Sequence, residues 1–467
     1  MIERLRRLLA RRFVRDTMAL QVGKLGATIL SFISSLVVWR LLGPERYGVF
    51  GLAVSFLALW HLLDLSGLGS STASLLGTAI GAQDADQARD LCAFHLRTLL
   101  LIDLALILLI ALVGKPAAGW MHGSPQIGDL AVWLALAAAA DRIYALIITA
   151  LQARRSMIVV SALGMINQLV LSAAAIIAAL IDPRPEALTV ARLIYSVLTL
   201  GMAIGVYAAV RRRGDFVLPA IADVLRRLPS VSRPGYWRYG FANAIDKNLA
   251  DVFIQIPVQI VGVVGGERAV GYLNLAMTGI LNVGILTSAI FENLKAVVPQ
   301  AIGRKDYAAL WRGMRGALIS LAVGGGVVYA ALALAAPVAV PPLLGDEWIA
   351  AIPALIALTP FGVISAVAGV FGPLYRALFL MRGAIFAKLG ALLIVLLPGG
   401  ALLALVASTA SADTATQTAA VGGALLIDCL FAVQAILTAR VALPPLRRLA
   451  FSTSGDSHHV RPETSIP

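Results

Sequence analysis

The sequence predicts an all-α polytopic membrane protein with about twelve transmembrane helices in two six-helix lobes. Three observations carry that reading: an excess of apolar residues, twelve apolar runs of crossing length, and a repeat spanning six of them. The 467 residues are 59% hydrophobic and only 13% charged, with a mean hydropathy of +0.87. A water-soluble chain carries about a quarter charged residues. Several soluble domains, a disordered chain and a fibrous one are therefore excluded, and the surplus apolar surface must face lipid. The 38 basic against 25 acidic residues give a net charge of +13. No polar segment is long enough to make that charge a nucleic-acid-binding domain, so no nucleic-acid partner is expected. Two cysteines, Cys92 and Cys429, support neither a disulfide framework nor a metal cluster. Neither a metal nor a cofactor is expected.

A hydrocarbon core about 30 Å thick takes about 20 apolar residues per helix. Runs of that kind fall at roughly 17–42, 47–68, 92–113, 128–151, 157–181, 187–210, 237–262, 270–294, 311–339, 348–375, 384–407 and 418–442. In the tenth, Pro353, Pro360 and Pro373 could break the helix. Orientation follows from the basic residues. With both termini inside, cytoplasmic segments hold 28 of the 38 Lys and Arg, while Arg40, Arg46, Lys115, Arg184 and Arg268 lie at outer ends. Trp39, Trp120, Trp133, Trp237, Trp311 and Trp348 fall near crossing ends, as an interfacial belt would place them. The arginines of residues 1–16 precede a crossing too long for a cleavable signal, and residues 2–14 alternate Leu and Phe with Arg as a surface helix would. The chain then divides into a first lobe at 17–210, a basic cytoplasmic linker at 211–236, a second lobe at 237–442 and a cytoplasmic tail at 443–467.

The two lobes repeat one another. Glu45-Arg46 is followed by Ile80-Gly81 and then Asp84; Glu267-Arg268 is followed, at identical spacing, by Ile302-Gly303 and then Asp306. Leu52-Ala53 matches Leu275-Ala276 after a single insertion. Six crossings separate the copies, so both share one orientation, as in a parallel repeat about the membrane normal. The chain has no G-x-x-x-x-G-K-[ST] phosphate loop. No outer loop exceeds roughly fifteen residues, which leaves little room for a catalytic domain. Two lobes with polar residues inside the membrane point to a transporter rather than an enzyme.

Arg40-Leu-Leu-Gly-Pro-Glu-Arg-Tyr-Gly48 and Asp64-Leu-Ser-Gly-Leu-Gly69 resemble the opening of Wzx-type polysaccharide flippases. These belong to the multidrug/oligosaccharidyl-lipid/polysaccharide exporter superfamily. Gly266-Glu-Arg-Ala-Val-Gly-Tyr272 is similar to that family's segment entering the eighth crossing, and Leu343-Leu-Gly-Asp-Glu-Trp-Ile-Ala-Ala-Ile-Pro353 to the one entering the tenth. The resemblance runs from about residue 17 to 442. It implies two six-helix bundles in a V around a central lumen, in a bacterial inner membrane. The implied activity is moving polyprenyl-diphosphate-linked saccharides from the cytoplasmic to the periplasmic leaflet, with membrane lipids and other polysaccharide-assembly proteins as compatible partners. Lipid II flippases of the superfamily usually carry two further helices, which are not found here.

Charged groups at bilayer depth are functional candidates. In the first crossing Gln21, Lys24, Thr28, Ser31 and Ser35 are spaced to share one helical face. In the seventh, Lys247 is the repeat mate of Lys24, with Asp246 beside it and Asp251 one turn on. Lys247 could thus bind substrate or be consumed in a pair with Asp251. Arg192, with Ser196 and Thr199, has no acid one turn away and lies near enough to the outer surface to snorkel. Arg142 adjoins Asp141 and could snorkel inward; Lys295 is spaced to pair with Glu292. Diphosphate oxygens need cationic donors, so Lys24, Arg192 and Lys247 lead as substrate ligands, with Arg142 and Lys295 behind them. His61 and Asp64, three residues apart, and Asp246 and Asp251 are candidates for proton or ion coupling. Asp103 and Asp428 read as lone buried carboxylates. A drug/cation antiporter using Asp64, Asp246 or Asp251 is the first rival. A membrane-embedded glycan polymerase or ligase is the second, and it would need a large outer loop that the chain lacks.

Overall fold

The computed structural model describes residues 12–64, 68–154, 156–212, 218–231, 235–285, 294, 297–298, 301–302, 304, 306–378 and 380–451. The N-terminal surface helix read over 2–14 and His458-His459 fall wholly or mostly outside these residues. Among the described residues every regular element is a helix, and ten spans are long and apolar enough to cross a membrane. Two of the ten are double. Arg12–His61, at 50 residues, would be about 75 Å long if straight, more than twice the hydrocarbon thickness. Gly43 interrupts it with φ 71° and ψ 172°. The chain reverses there: the Trp39 and Tyr47 rings meet edge-on at 5.9 Å, and Ser31 and Phe50 line one cavity. Gly235–Val283 reverses in the same way at Gly266, with φ 74° and ψ −176°. Val261 and Leu273 consequently both face Gly423. These positive φ values are the reason glycine stands at both turns. The two reversals bring the ten spans to twelve crossings.

The repeat extends to detail. Gly43 and Gly266 occupy equivalent places in the two copies, and the helices after them end at His61 and Val283, almost equally far beyond each glycine. Further on, Asp84 caps the helix Ala85–Leu109 by accepting from the Gln87 N–H at 2.8 Å. Its mate in the second copy, Asp306, caps Tyr307–Leu344 by accepting from the Ala309 N–H at 3.1 Å.

Three elements refine the sequence reading. The helix of the second crossing ends at His61, a few residues before the expected boundary, and a separate helix, Leu68–Gly81, follows before the chain turns at Asp84. The tenth crossing is cut into Asp346–Ala351, Ile352–Ala357, Thr359–Ala368 and Phe371–Ala377, as its prolines predict. Trp39 and Trp348 are not belt residues. At 2% and 1% exposure they pack on each other across the two halves, and Trp348 Nε1 donates to the Trp39 carbonyl at 3.3 Å. Trp120, 87% exposed, behaves as a belt residue should.

Among the described residues the halves share a core at one end only. At the end carrying the glycine turns, a single apolar cluster runs from Leu52, Phe56 and Ile127 of the first half to Val261, Leu273 and Leu355 of the second. There, Arg40 donates to the Pro342 and Leu343 carbonyls, and His122 Nε2 donates to Gln259 Oε1 at 2.8 Å. At the other end each half has its own core, one around Leu76, Leu91 and Leu163, the other around Met314, Leu374 and Leu446. The first of these includes Val224 of the short helix Ile221–Arg227, so the linker's 218–231 stretch folds onto the first half; Arg227 pairs with Asp90 at 2.9 Å.

Backbone contact closes the shared end. A Cβ on Gly48 would strike the Glu267 carbonyl, and one on Gly271 would strike the Pro44 carbonyl. In the register set by the turn glycines Gly43 and Gly266, Gly48 matches Gly271 and Pro44 matches Glu267, one residue off the Glu45–Glu267 match of the sequence, so one contact is made twice, as in a two-fold interface. Gly48→Ala is expected to hold the halves apart there, since backbone cannot yield as a side chain can. In a Cys92→Ser, Cys429→Ser background, disulfide trapping between Arg40→Cys and Leu343→Cys should fall severalfold when Gly48→Ala is added. Undiminished trapping would show that this approach is not needed for closure.

Candidate substrate pathway and its charged groups

The site begins at the break in the second crossing. Unwinding a helix in a membrane frees carbonyls that must find donors. Asn248 of the second half supplies them, its amide donating to the Leu62 carbonyl at 2.9 Å and the Asp64 carbonyl at 3.0 Å. A side chain from one half thereby holds the interruption in the other.

Around that break the charges pair between helices. Arg142 on the fourth crossing reaches both Asp64 on the second and Asp103 on the third. It does not snorkel to a surface, and Asp103 is not a lone carboxylate. Arg192 also has a partner: it donates to Asp141 on the fourth crossing at 2.7 Å and lies 5.1 Å from the centre of the Tyr195 ring. The physical reason is the same for both. Within the membrane an ion pair across helices satisfies a guanidinium more fully than a long reach to water.

In the second half Asp246, 2% exposed, accepts from Lys388 at 2.7 Å, from Arg376 at 3.1 Å and from the Tyr375 hydroxyl at 3.1 Å. Lys388 also donates to the Asp246 carbonyl at 2.7 Å. Neither base is among the sequence candidates, because both count with the inner loop between crossings ten and eleven. The usable signal was Lys388 lying inside the apolar run 384–407. Among the described residues no ion pair within 4 Å joins Lys247 to Asp251; both side chains are exposed. Asp428 is buried at 7% exposure, with Oδ1 unbonded among the described residues. Lys295 lies outside the described residues.

Lys24 is exposed as well. On its helix the exposed apolar residues Leu25, Ile29, Phe32 and Ile33 form a stripe about a quarter-turn or more around from the Lys24, Thr28, Ser31 and Ser35 face. Lys24 stands as far before Gly43 as Lys247 does before Gly266. Each therefore lies about five helical turns, or about 28 Å, along its helix from the shared end, toward the end where the halves have separate cores. Lys247 directly precedes Asn248, whose amide holds the break, so its backbone lies beside the break as well. Of the predicted substrate bases, then, Arg142 and Arg192 hold carboxylates, while Lys24 and Lys247 stand exposed at matched depth.

Closer to the shared end, a cavity of about 160 Å³ lies between the first, second, fifth and sixth crossings. Ser31 and Ser35 of the predicted polar face line it together with Arg192. Among the described residues no group of three or more His, Cys, Asp or Glu side chains is placed to hold a metal.

The fold is that of known transporters. A multidrug-resistance MATE family transporter of the MOP superfamily, solved in an inward-facing conformation, matches with a TM-score of 0.68 and 16% identity over 91% of this chain and 96% of that one. The outward-facing conformation of such a transporter gives 0.57 and 18%, over 94% and 97%. The eukaryotic MATE transporter AtDTX14 gives 0.61 and 15%, over 94% and 99%. The search of curated proteins found no match. The sequence model for polysaccharide biosynthesis proteins matches residues 37–353, more than half of the chain. The chain belongs to that family of polysaccharide biosynthesis proteins.

Proposed function

We propose that the protein is a flippase moving polyprenyl-diphosphate-linked saccharides from the cytoplasmic to the periplasmic leaflet of a bacterial inner membrane. It works as a transporter without enzymatic chemistry, with both termini in the cytoplasm. The observation that carries this reading is the pair of exposed lysines, Lys24 and Lys247, at matched depth on repeat-related helices. Two exposed cations at one depth suit a diphosphate bearing a charge of −2. Separate cores at the end nearer these lysines and a joined core at the other describe an inward-open state, which the higher TM-score with an inward-facing transporter supports. Moving two negative charges out of an inside-negative cell is downhill by about 4–5 kcal/mol per 100 mV, so the potential favours export. A cation antiporter needs an open carboxylate. Asp64 and Asp246 already hold basic partners, which leaves the exposed Asp251 as the one acid of the antiporter reading without an ion pair among the described residues.

Deletion in the native host tests the reading. Surface polysaccharide should be lost, with saccharide units accumulating on the polyprenyl carrier at the cytoplasmic face. Blocking the first committed glycosyl transfer should relieve any growth defect, because trapped carrier would be the cause of harm. Normal surface glycan with raised drug sensitivity would favour the antiporter.

A further inference from the structure

The cavity beside Arg192 carries more polar groups than its own hydrogen bonds use. Ser34 is held by its neighbours: it donates to the Ser31 carbonyl at 2.9 Å and accepts from Ser172 at 3.1 Å, while the Gln168 amide donates to Ser172 at 3.2 Å. Those bonds leave the Ser31 and Ser35 hydroxyls and the Gln168 amide oxygen without a hydrogen bond among the described residues. All three residues line the cavity, with Arg192 at one side and the Tyr47 and Phe50 rings at another. Pairing with Asp141 removes the net charge of Arg192 but uses only one of its five N–H donors. Neutral donors and acceptors over aromatic rings, in a space of about 160 Å³, suit a single pyranose ring better than an acyl chain or a bare anion. That volume equals roughly five waters of liquid.

The position is also suitable. Ser31 and Ser35 follow Lys24 on the same helical face, about two and three turns on, or about 10–16 Å along the axis. A diphosphate held at Lys24 would present its first sugars over that distance. Resting on the flippase reading, the geometry points to this cavity as a saccharide subsite that binds one neutral sugar ring close to the diphosphate. Ser31, Ser35 and Gln168 hydrogen-bond its hydroxyls, and Tyr47 stacks against it.

The test compares short-chain prenyl diphosphates with and without a single sugar, binding to the full-length protein in detergent. The sugars are glucose, galactose, N-acetylglucosamine and galacturonic acid, each attached through the diphosphate. At least one neutral glycosyl compound should bind about tenfold more tightly than the bare prenyl diphosphate. Gln168→Ala and Ser31→Val should each erase most of that increment while the bare compound binds unchanged and the melting temperature holds. Equal binding of bare and all glycosylated compounds would overturn the subsite and leave the flippase reading standing. So would an increment that survives both substitutions, or one confined to the galacturonosyl compound. Failure of every prenyl diphosphate to bind would overturn the flippase reading itself.

Discussion

Arg142→Leu is expected to cost about 3–5 kcal/mol of stability, the penalty for removing one partner of a buried ion pair. Arg142 bridges Asp64 and Asp103, which are 14% and 6% exposed in their side chains. Removing the guanidinium withdraws that cation from both carboxylates at bilayer depth. Heating the purified protein and following the monodisperse fraction by gel filtration should give a much lower melting temperature. A triple variant that adds Asp64→Asn and Asp103→Asn should recover most of the loss, because a neutral network needs no cation. An unchanged melting temperature for Arg142→Leu would mean that the bridge contributes nothing to the fold. Failure of the triple variant to recover would point to lost packing around the long side chain instead.

Lys24→Ala should leave the protein folded and inserted yet reduce glycan export by roughly 10–100-fold, as loss of one charge-assisted hydrogen bond worth about 1.5–3 kcal/mol would. Lys24→Arg should keep partial function, since the charge remains but the donor geometry changes. Lys24→Glu should be inactive through repulsion of the diphosphate. Lys247→Ala should match Lys24→Ala if the repeat presents both lysines to one ligand. Surface glycan and carrier-linked saccharide, measured in a complemented deletion strain, distinguish these outcomes. Wild-type export by Lys24→Ala would make the residue an orientation charge and remove it from the pathway.

Apolar periodicity and run length were enough to predict the helical class, the twelve crossings and the proline-broken tenth. They are local properties of the chain, and a bilayer of fixed thickness converts them directly into structure. The repeat was legible because its anchors, Glu45-Arg46 with Asp84 and Glu267-Arg268 with Asp306, lie at turns and caps whose geometry demands particular residues. The helix Leu68–Gly81 was not read from the sequence, because the glycine-rich stretch before it signals an end without saying whether a helix follows. That depended on Asn248, from the other half, satisfying the carbonyls the break exposes.

The site divides in the same manner. Sequence spacing alone grouped Lys24 with Ser31 and Ser35 and matched Lys24 to Lys247, since residues on one helical face and repeat mates are both set by position in the chain. Only the tertiary structure decided that Arg142 and Arg192 are partnered, that Asp246 belongs to Lys388 and Arg376, and that Trp39 and Trp348 join the halves. Those partners lie from 39 to 309 positions apart in the sequence. Spacing on one helix exposes partners a turn away, but a charge inside a membrane is neutralised by whichever opposite charge the packing brings near, at any distance along the chain.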